Sequence, residues 1–136
     1  MQQKKPLSPV NKFAIALGIF LIIEGIGGLV GSYVFWIFST NVLHASIHLL
    51  LGFSGLYIGL RNHARKFSLY VGLLLLVVGV LYFTPATNAL AIKILNVNDA
   101  VAYLNIIIGV TAILFAFLSP KKVVAQYPHQ QVHAHK

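Results

Sequence analysis

The sequence predicts an all-α integral membrane protein whose four transmembrane helices form a duplicated two-helix hairpin. Three observations carry this reading. Of 136 residues, 58% are hydrophobic and only 9% charged, with a mean hydropathy of +0.84. A soluble domain of this size leaves too much of its chain exposed to hide so much apolar surface. The apolar residues also fall in long uncharged runs, the pattern of membrane helices rather than of a folded core. Finally, Lys4, Lys5, Lys12, Arg61, Arg65, Lys66, Lys93, Lys121, Lys122 and Lys136 all sit in tails or connections, as topology signals do.

Residues 1–12 read as a basic N-terminal tail, 13–119 as the membrane domain and 120–136 as a polar C-terminal tail. The first apolar run, 13–38, is longer than the roughly 7–15 residues of a signal-peptide core, so it reads as a retained span. The second span is expected at 42–60, the third at 67–83 and the fourth at 100–118. About 20 residues at 1.5 Å each cross a hydrocarbon core of ~30 Å. The first is therefore long and tilted, and the third is near the short limit. Runs such as Leu73 to Val78 lack the period-two alternation of membrane β-strands. Ala89 to Leu95, within the last connection, is too short to span and reads as an interfacial helical turn.

All the basic residues except Lys93 lie on three segments that an even number of spans places on one side. Both termini are therefore expected in the cytoplasm. Trp36, Phe38, Tyr82 and Phe83 then fall at the outer interface, where aromatic residues collect. The net charge of +8 is accounted for by this topology, and no nucleic-acid partner is expected. The absence of cysteine excludes disulfides and thiolate chemistry.

An internal repeat is expected. Lys12 to Gly25 aligns without a gap on Lys66 to Gly79, with Lys, Phe and both glycines coinciding. On the second and fourth spans, His44, His48, Gly52, Gly55 and Gly59 fall on Val101, Asn105, Gly109, Ala112 and Ala116. That rhythm keeps each set on one helix face. Both copies would enter the membrane in the same orientation, about a pseudo-twofold axis near the membrane normal. Gly27, Gly31, Gly52, Gly55, Gly59 and Gly109 read as helix-packing positions, since small residues let backbones approach where lipid removes the hydrophobic drive.

Glu24 is the one acidic residue within a span. An ionised group there costs about 2.5–3.5 kcal/mol, a cost that protonation or an inward-facing partner lowers. It reads either as a proton or cation site or as a neutral acid bonded to a neighbouring helix. His44 and His48, at i and i+4, present both imidazoles to one side. That spacing suits a metal or the axial position of a tetrapyrrole such as haem or chlorophyll. It also suits a structural pair, and two imidazoles alone do not close a metal site. Depth arithmetic puts His48 and Asn105 at similar levels and Glu24 one to two turns deeper. A buried polar centre of Glu24, His48 and Asn105 is expected, with His44 and Asp99 nearer the outer mouth. His129, His133 and His135 in the tail suit adventitious metal contact only. No catalytic motif appears, so no enzyme activity is expected.

The stretch Asn41-Val-Leu-His44-Ala-Ser-Ile-His48-Leu-Leu-Leu-Gly52 resembles the opening of the second span in a bacterial four-pass membrane family called domain of unknown function 4383. A related His-bearing pattern opens the fourth span there. The resemblance runs from Lys12 to about Leu118, and implies a small bacterial multipass protein without bringing an activity. Asn105 stands where the family usually carries another His, a departure from a symmetric bis-His site. The resulting expectation is a structural or accessory protein of the bacterial inner membrane, in contact with the lipid bilayer. It would act as a homo-oligomer or as a subunit of a larger membrane complex, without a cofactor. A proton-linked transporter or channel using Glu24 and His48 is the first alternative, and tetrapyrrole binding through His44 or His48 the second.

Overall fold

The computed structural model describes residues 6–120. The chain runs α1 (Pro9–Val30), β1 (Tyr33–Val34), β2 (Phe38–Ser39), α2 (Val42–Leu60), α3 (Ala64–Phe83), α4 (Asn88–Leu95) and α5 (Asp99–Leu118). Among the described residues, α1, α2, α3 and α5 are long and apolar enough to cross a membrane. Their outer faces carry Leu50, Phe53, Tyr70, Ile107 and Phe117, all exposed. A water-soluble monomer seldom leaves so continuous an apolar surface uncovered. The protein is an all-helical integral membrane protein.

α1 starts on Pro9, whose fixed φ suits the first helical position. It stops at Gly31, which is extended, so the first span is shorter at its far end than the run 13–38 predicts. The remaining apolar residues fold instead into a small antiparallel hairpin pairing Tyr33 with Ser39 and Val34 with Phe38. Tyr33, Val34, Phe35, Trp36 and Ile37 are aromatic or β-branched. They follow Gly31-Ser32, which is a strand signature behind a helix stop. Phe35 (φ 50°) and Trp36 (φ 59°) occupy the left-handed region at the hairpin tip, a geometry usually left to Asn and Gly. Trp36 is 94% exposed.

α2 and α5 are each capped by an asparagine: the Asn41 side chain accepts from His44 N–H and the Asn98 side chain from Val101 N–H. α3 begins at Ala64, earlier than residue 67, after a turn in which Asn62 takes φ 62°. Its N-terminus is capped from another helix, with Ala64 N–H donating to Asn11 Oδ1 at 2.9 Å. Asn11 also donates to Asn62 Oδ1 at 2.5 Å and to Ser8 Oγ. Residues 9–12, expected in the tail, are therefore helical, and Asn11 is buried. α4 occupies the segment read as an interfacial turn and ends at Asn96 in the left-handed conformation.

The four long helices pair as α1 with α2 and α3 with α5. Glycines set both contacts. A Cβ on Gly52 would lie 2.8 Å from Gly18 O, and one on Gly109 would lie 2.8 Å from Gly72 O. Added carbons on Gly25 and Gly79 would likewise meet the carbonyls of Ala45 and Ala102 at 2.9 and 2.7 Å. Gly55 and Gly59 face the α1 backbone at Ala14 O and Asn11 O. Gly27 and Gly31 do not serve as helix-packing positions. Gly27 abuts the Val34 side chain of the hairpin, and Gly31 is an exposed C-cap with only Tyr33 O nearby at 3.8 Å. The early end of α1 removes them from any helix–helix seam, and Gly18 and Gly25 take that role. Between the two pairs lies an apolar layer of Leu17, Leu21, Val71 and Leu75.

Candidate functional site

Polar residues converge where α1, α2 and α5 meet beneath the hairpin. Glu24 shares its face of α1 with Leu17, Leu21 and Gly28, all buried. His44 and His48 share theirs with Gly52, Gly55 and Gly59. Asn105 lies on the α5 face that buries Ala102, Gly109, Ala112 and Ala116. α2 and α5 therefore turn their small-residue stripes inward and bring polar groups with them, while Glu24 enters on the leucine-bearing face of α1.

Glu24 Oε2 lies 3.3 Å from His48 Nδ1, with both side chains under a tenth exposed. The two are at one level, and Glu24 is not the one to two turns deeper that the depth arithmetic expects. The early stop of α1 explains this, since Glu24 lies six residues before Val30 and His48 six residues after Val42. The His44 and His48 rings stand edge to face, centroids 4.4 Å apart. His44 Nδ1 donates to Leu95 O at 2.9 Å, which ties the second span to the end of α4.

These groups border a cavity of about 10 Å³, counted as space open to the centre of a water molecule. Glu24, His44, His48 and Asn105 line it, with Val34, Phe38, Ser39 and Thr40 on the hairpin side. Asn105 Nδ2 is buried with no hydrogen-bond partner among the described residues. Asp99, expected near the mouth beside His44, does not join this group. It is exposed in the first turn of α5 and accepts from Tyr82 O–H at 2.6 Å. His44, in contrast, is only 4% exposed and lines the cavity.

Sequence reasoning missed the groups that close the site from above. Ser39 Oγ donates to Asn96 O at 2.5 Å, and Asn96 Nδ2 donates to Thr40 O at 2.8 Å. It also missed Ser68, fully buried with its hydroxyl unpartnered, and the Asn11 hub. The caps Asn41 and Asn98 did carry a signal, an Asn directly before an apolar helical run. Among the described residues no three His, Cys, Asp or Glu side chains gather as a metal cluster would require. His129, His133 and His135 lie outside the described residues, as does the tail expected to be loosely ordered.

The model of the family described as Domain of unknown function (DUF4383) matches residues 11–118. The chain belongs to this family. The match runs from the first turn of α1 to the end of α5 and includes every residue lining the polar cavity. Neither the curated proteins nor the solved structures contain a match.

Proposed function

We propose that this family member is a structural or accessory protein of the bacterial inner membrane, not an enzyme, with both termini in the cytoplasm. It works as a homo-oligomer or as a subunit of a larger membrane complex. The observation that carries the reading is the apolar layer of Leu17, Leu21, Val71 and Leu75. It fills the bundle between the polar centre and the end that bears Arg61, Arg65 and Lys66. A polar path across the membrane would have to break this layer, whereas a centre that pins helices together needs none. Glu24 and His48 satisfy each other across α1 and α2, as polar side chains that join membrane helices do.

We further infer that the chain is a duplicated hairpin. The contact of Gly18 with Gly52 has its counterpart in that of Gly72 with Gly109, at the positions the sequence alignment pairs.

The test is native mass analysis of the full chain from mild detergent, joined to proton flux in liposomes. A defined oligomer or co-purifying complex without flux supports the reading; a monomer conducting protons overturns it.

Proton-linked transport is the second reading, favoured by the 3.3 Å contact of a carboxyl with an imidazole at membrane depth. It requires Glu24→Gln to abolish pH-dependent flux while the fold survives. Tetrapyrrole binding has less support. Both imidazoles are buried side by side, His44 Nδ1 engages Leu95 O, and the space beside them is about 10 Å³. A visible spectrum of the purified protein tests it directly.

A further inference from the structure

The cavity under the hairpin has walls of mixed hydrogen-bonding character. A carbonyl only accepts, so the contact of His44 Nδ1 with Leu95 O puts the proton on Nδ1 and leaves Nε2 an acceptor. Glu24 spends one oxygen on His48, and a carboxyl has a second. Asn105 supplies an unpaired Nδ2 donor from a side chain that is 97% buried, being 3% exposed. A buried amide donor without a partner is a rare and unfavourable arrangement unless solvent meets it. The volume, about 10 Å³, is that of one water centre, for which roughly 10–15 Å³ and two to four polar partners are needed.

We propose that this cavity is a binding site for one neutral water molecule, which accepts from Asn105 Nδ2 and donates to the Glu24 carboxyl. A hydrated metal ion or an organic ligand is too large for the space. Ammonium has the right size but only donates, and would turn its protons toward Asn105 Nδ2. Water both accepts and donates, which is what donors and acceptors on facing walls demand. The water exchanges with the hairpin side alone. On that side Ser39, Thr40 and Asn96 close the site through two hydrogen bonds, which local opening can break. On the other side stands the packed layer of Leu17, Leu21, Val71 and Leu75. The site stands whether the bundle proves accessory or proton-linked.

The experiment uses the full chain in nanodiscs with ¹⁵N-asparagine and ¹⁵N-histidine, reading cross-relaxation between water and the Asn105 side-chain amide and between water and the His48 ring. The wild type is expected to show a long-lived water contact at Asn105, and Asn105→Leu to lose the water contact at the neighbouring His48 ring. Asn96→Ala removes one closing hydrogen bond and should speed deuterium exchange at the Asn105 amide roughly five- to tenfold through easier local opening. Leu17→Ala should leave that rate unchanged. An observed Asn105 amide signal with no water contact overturns the site. Displacement of the water signal by ¹⁵N-ammonium overturns its neutral character, and equal acceleration by Leu17→Ala overturns the one-sided access.

Discussion

Asn41 and Asn98 make the same two attachments in opposite halves of the protein. Each caps the helix that follows it, and each sends its Nδ2 across to the other half. Asn41 donates to Ile94 O and Asn98 to Ile37 O, both at 2.8 Å. The interval along the chain from Asn41 to Asn98 equals that from Ile37 to Ile94, so the pattern of the contacts is reciprocal. The two connections on the hairpin side are thereby stitched to each other directly above the polar cavity.

Removing either asparagine should therefore cost more than a cap. Asn41→Ala or Asn98→Ala loses a cap worth about 1 kcal/mol together with a cross-connection of similar size. A total of about 2 kcal/mol is expected from reversible unfolding in detergent. Asn98→Asp retains the acceptor for Val101 N–H and loses only the donor, so it should fall about halfway. Equal effects of Ala and Asp would mean that the cross-connection contributes nothing.

The helix seams make a sharper prediction. A methyl on Gly52 or Gly109 would lie within 2.8 Å of backbone atoms that cannot move independently. Gly52→Ala and Gly109→Ala should each destabilise by about 1–3 kcal/mol, the range for forced overpacking. Gly31, extended and open to solvent, should accept Ala within about 0.5 kcal/mol. Comparable melting losses at all three positions would remove the close-approach argument.

The four spans are legible in the sequence because the bilayer imposes a length and a composition, and Gly52, Gly55, Gly59 and Gly109 are legible as a small-residue face. What fails is the end of α1. Composition cannot separate Tyr33 to Phe38 from the helix before it, because the hairpin is as apolar as a membrane helix. The break shows only in Gly31-Ser32 and in the aromatic and β-branched residues beyond. That one boundary displaces the level of Glu24 and misassigns Gly27 and Gly31. Asn11 carries no such signal, since its role depends on a turn 51 residues away in the chain.

The Asn11 hub is open to separate test. Its Oδ1 caps α3 and its Nδ2 reaches Asn62 and Ser8. Asn11→Leu should leave Ala64 N–H and Asn62 Oδ1 unpaired and cost about 2–3 kcal/mol. Asn11→Asp keeps the cap to Ala64 and should recover about half. Loss of helicity confined to the start of α3, followed by hydrogen exchange, would locate the effect. A uniform loss would contradict the capping role.

The proposed membrane orientation rests on the placement of Arg61, Arg65 and Lys66 at one end of the bundle and the α3–α4 connection at the other. Single cysteines at Pro6, His63 and Ala86, all exposed, should react with an impermeant reagent from outside the cell only at Ala86. Labelling at His63 from outside would invert the topology.

The Glu24–His48 pair can be separated into its attractive and desolvation parts by a double-mutant cycle. His48→Leu leaves a carboxyl alone in the bundle, and a buried polar group stripped of its partner costs about 1–3 kcal/mol. Glu24→Leu strands an imidazole nitrogen instead, a penalty of about 1–3 kcal/mol. Replacing both removes the stranded groups, and apolar substitutes for a buried pair are often neutral or stabilising. The double variant should therefore be more stable than His48→Leu alone, and its loss should fall far short of the sum of the two single losses. Additive losses would mean that the 3.3 Å contact carries no energy and that each group finds its partner elsewhere. Glu24→Gln separates hydrogen bonding from charge, because the amide still reaches His48. It should keep most of the stability if the pair is a clamp between α1 and α2.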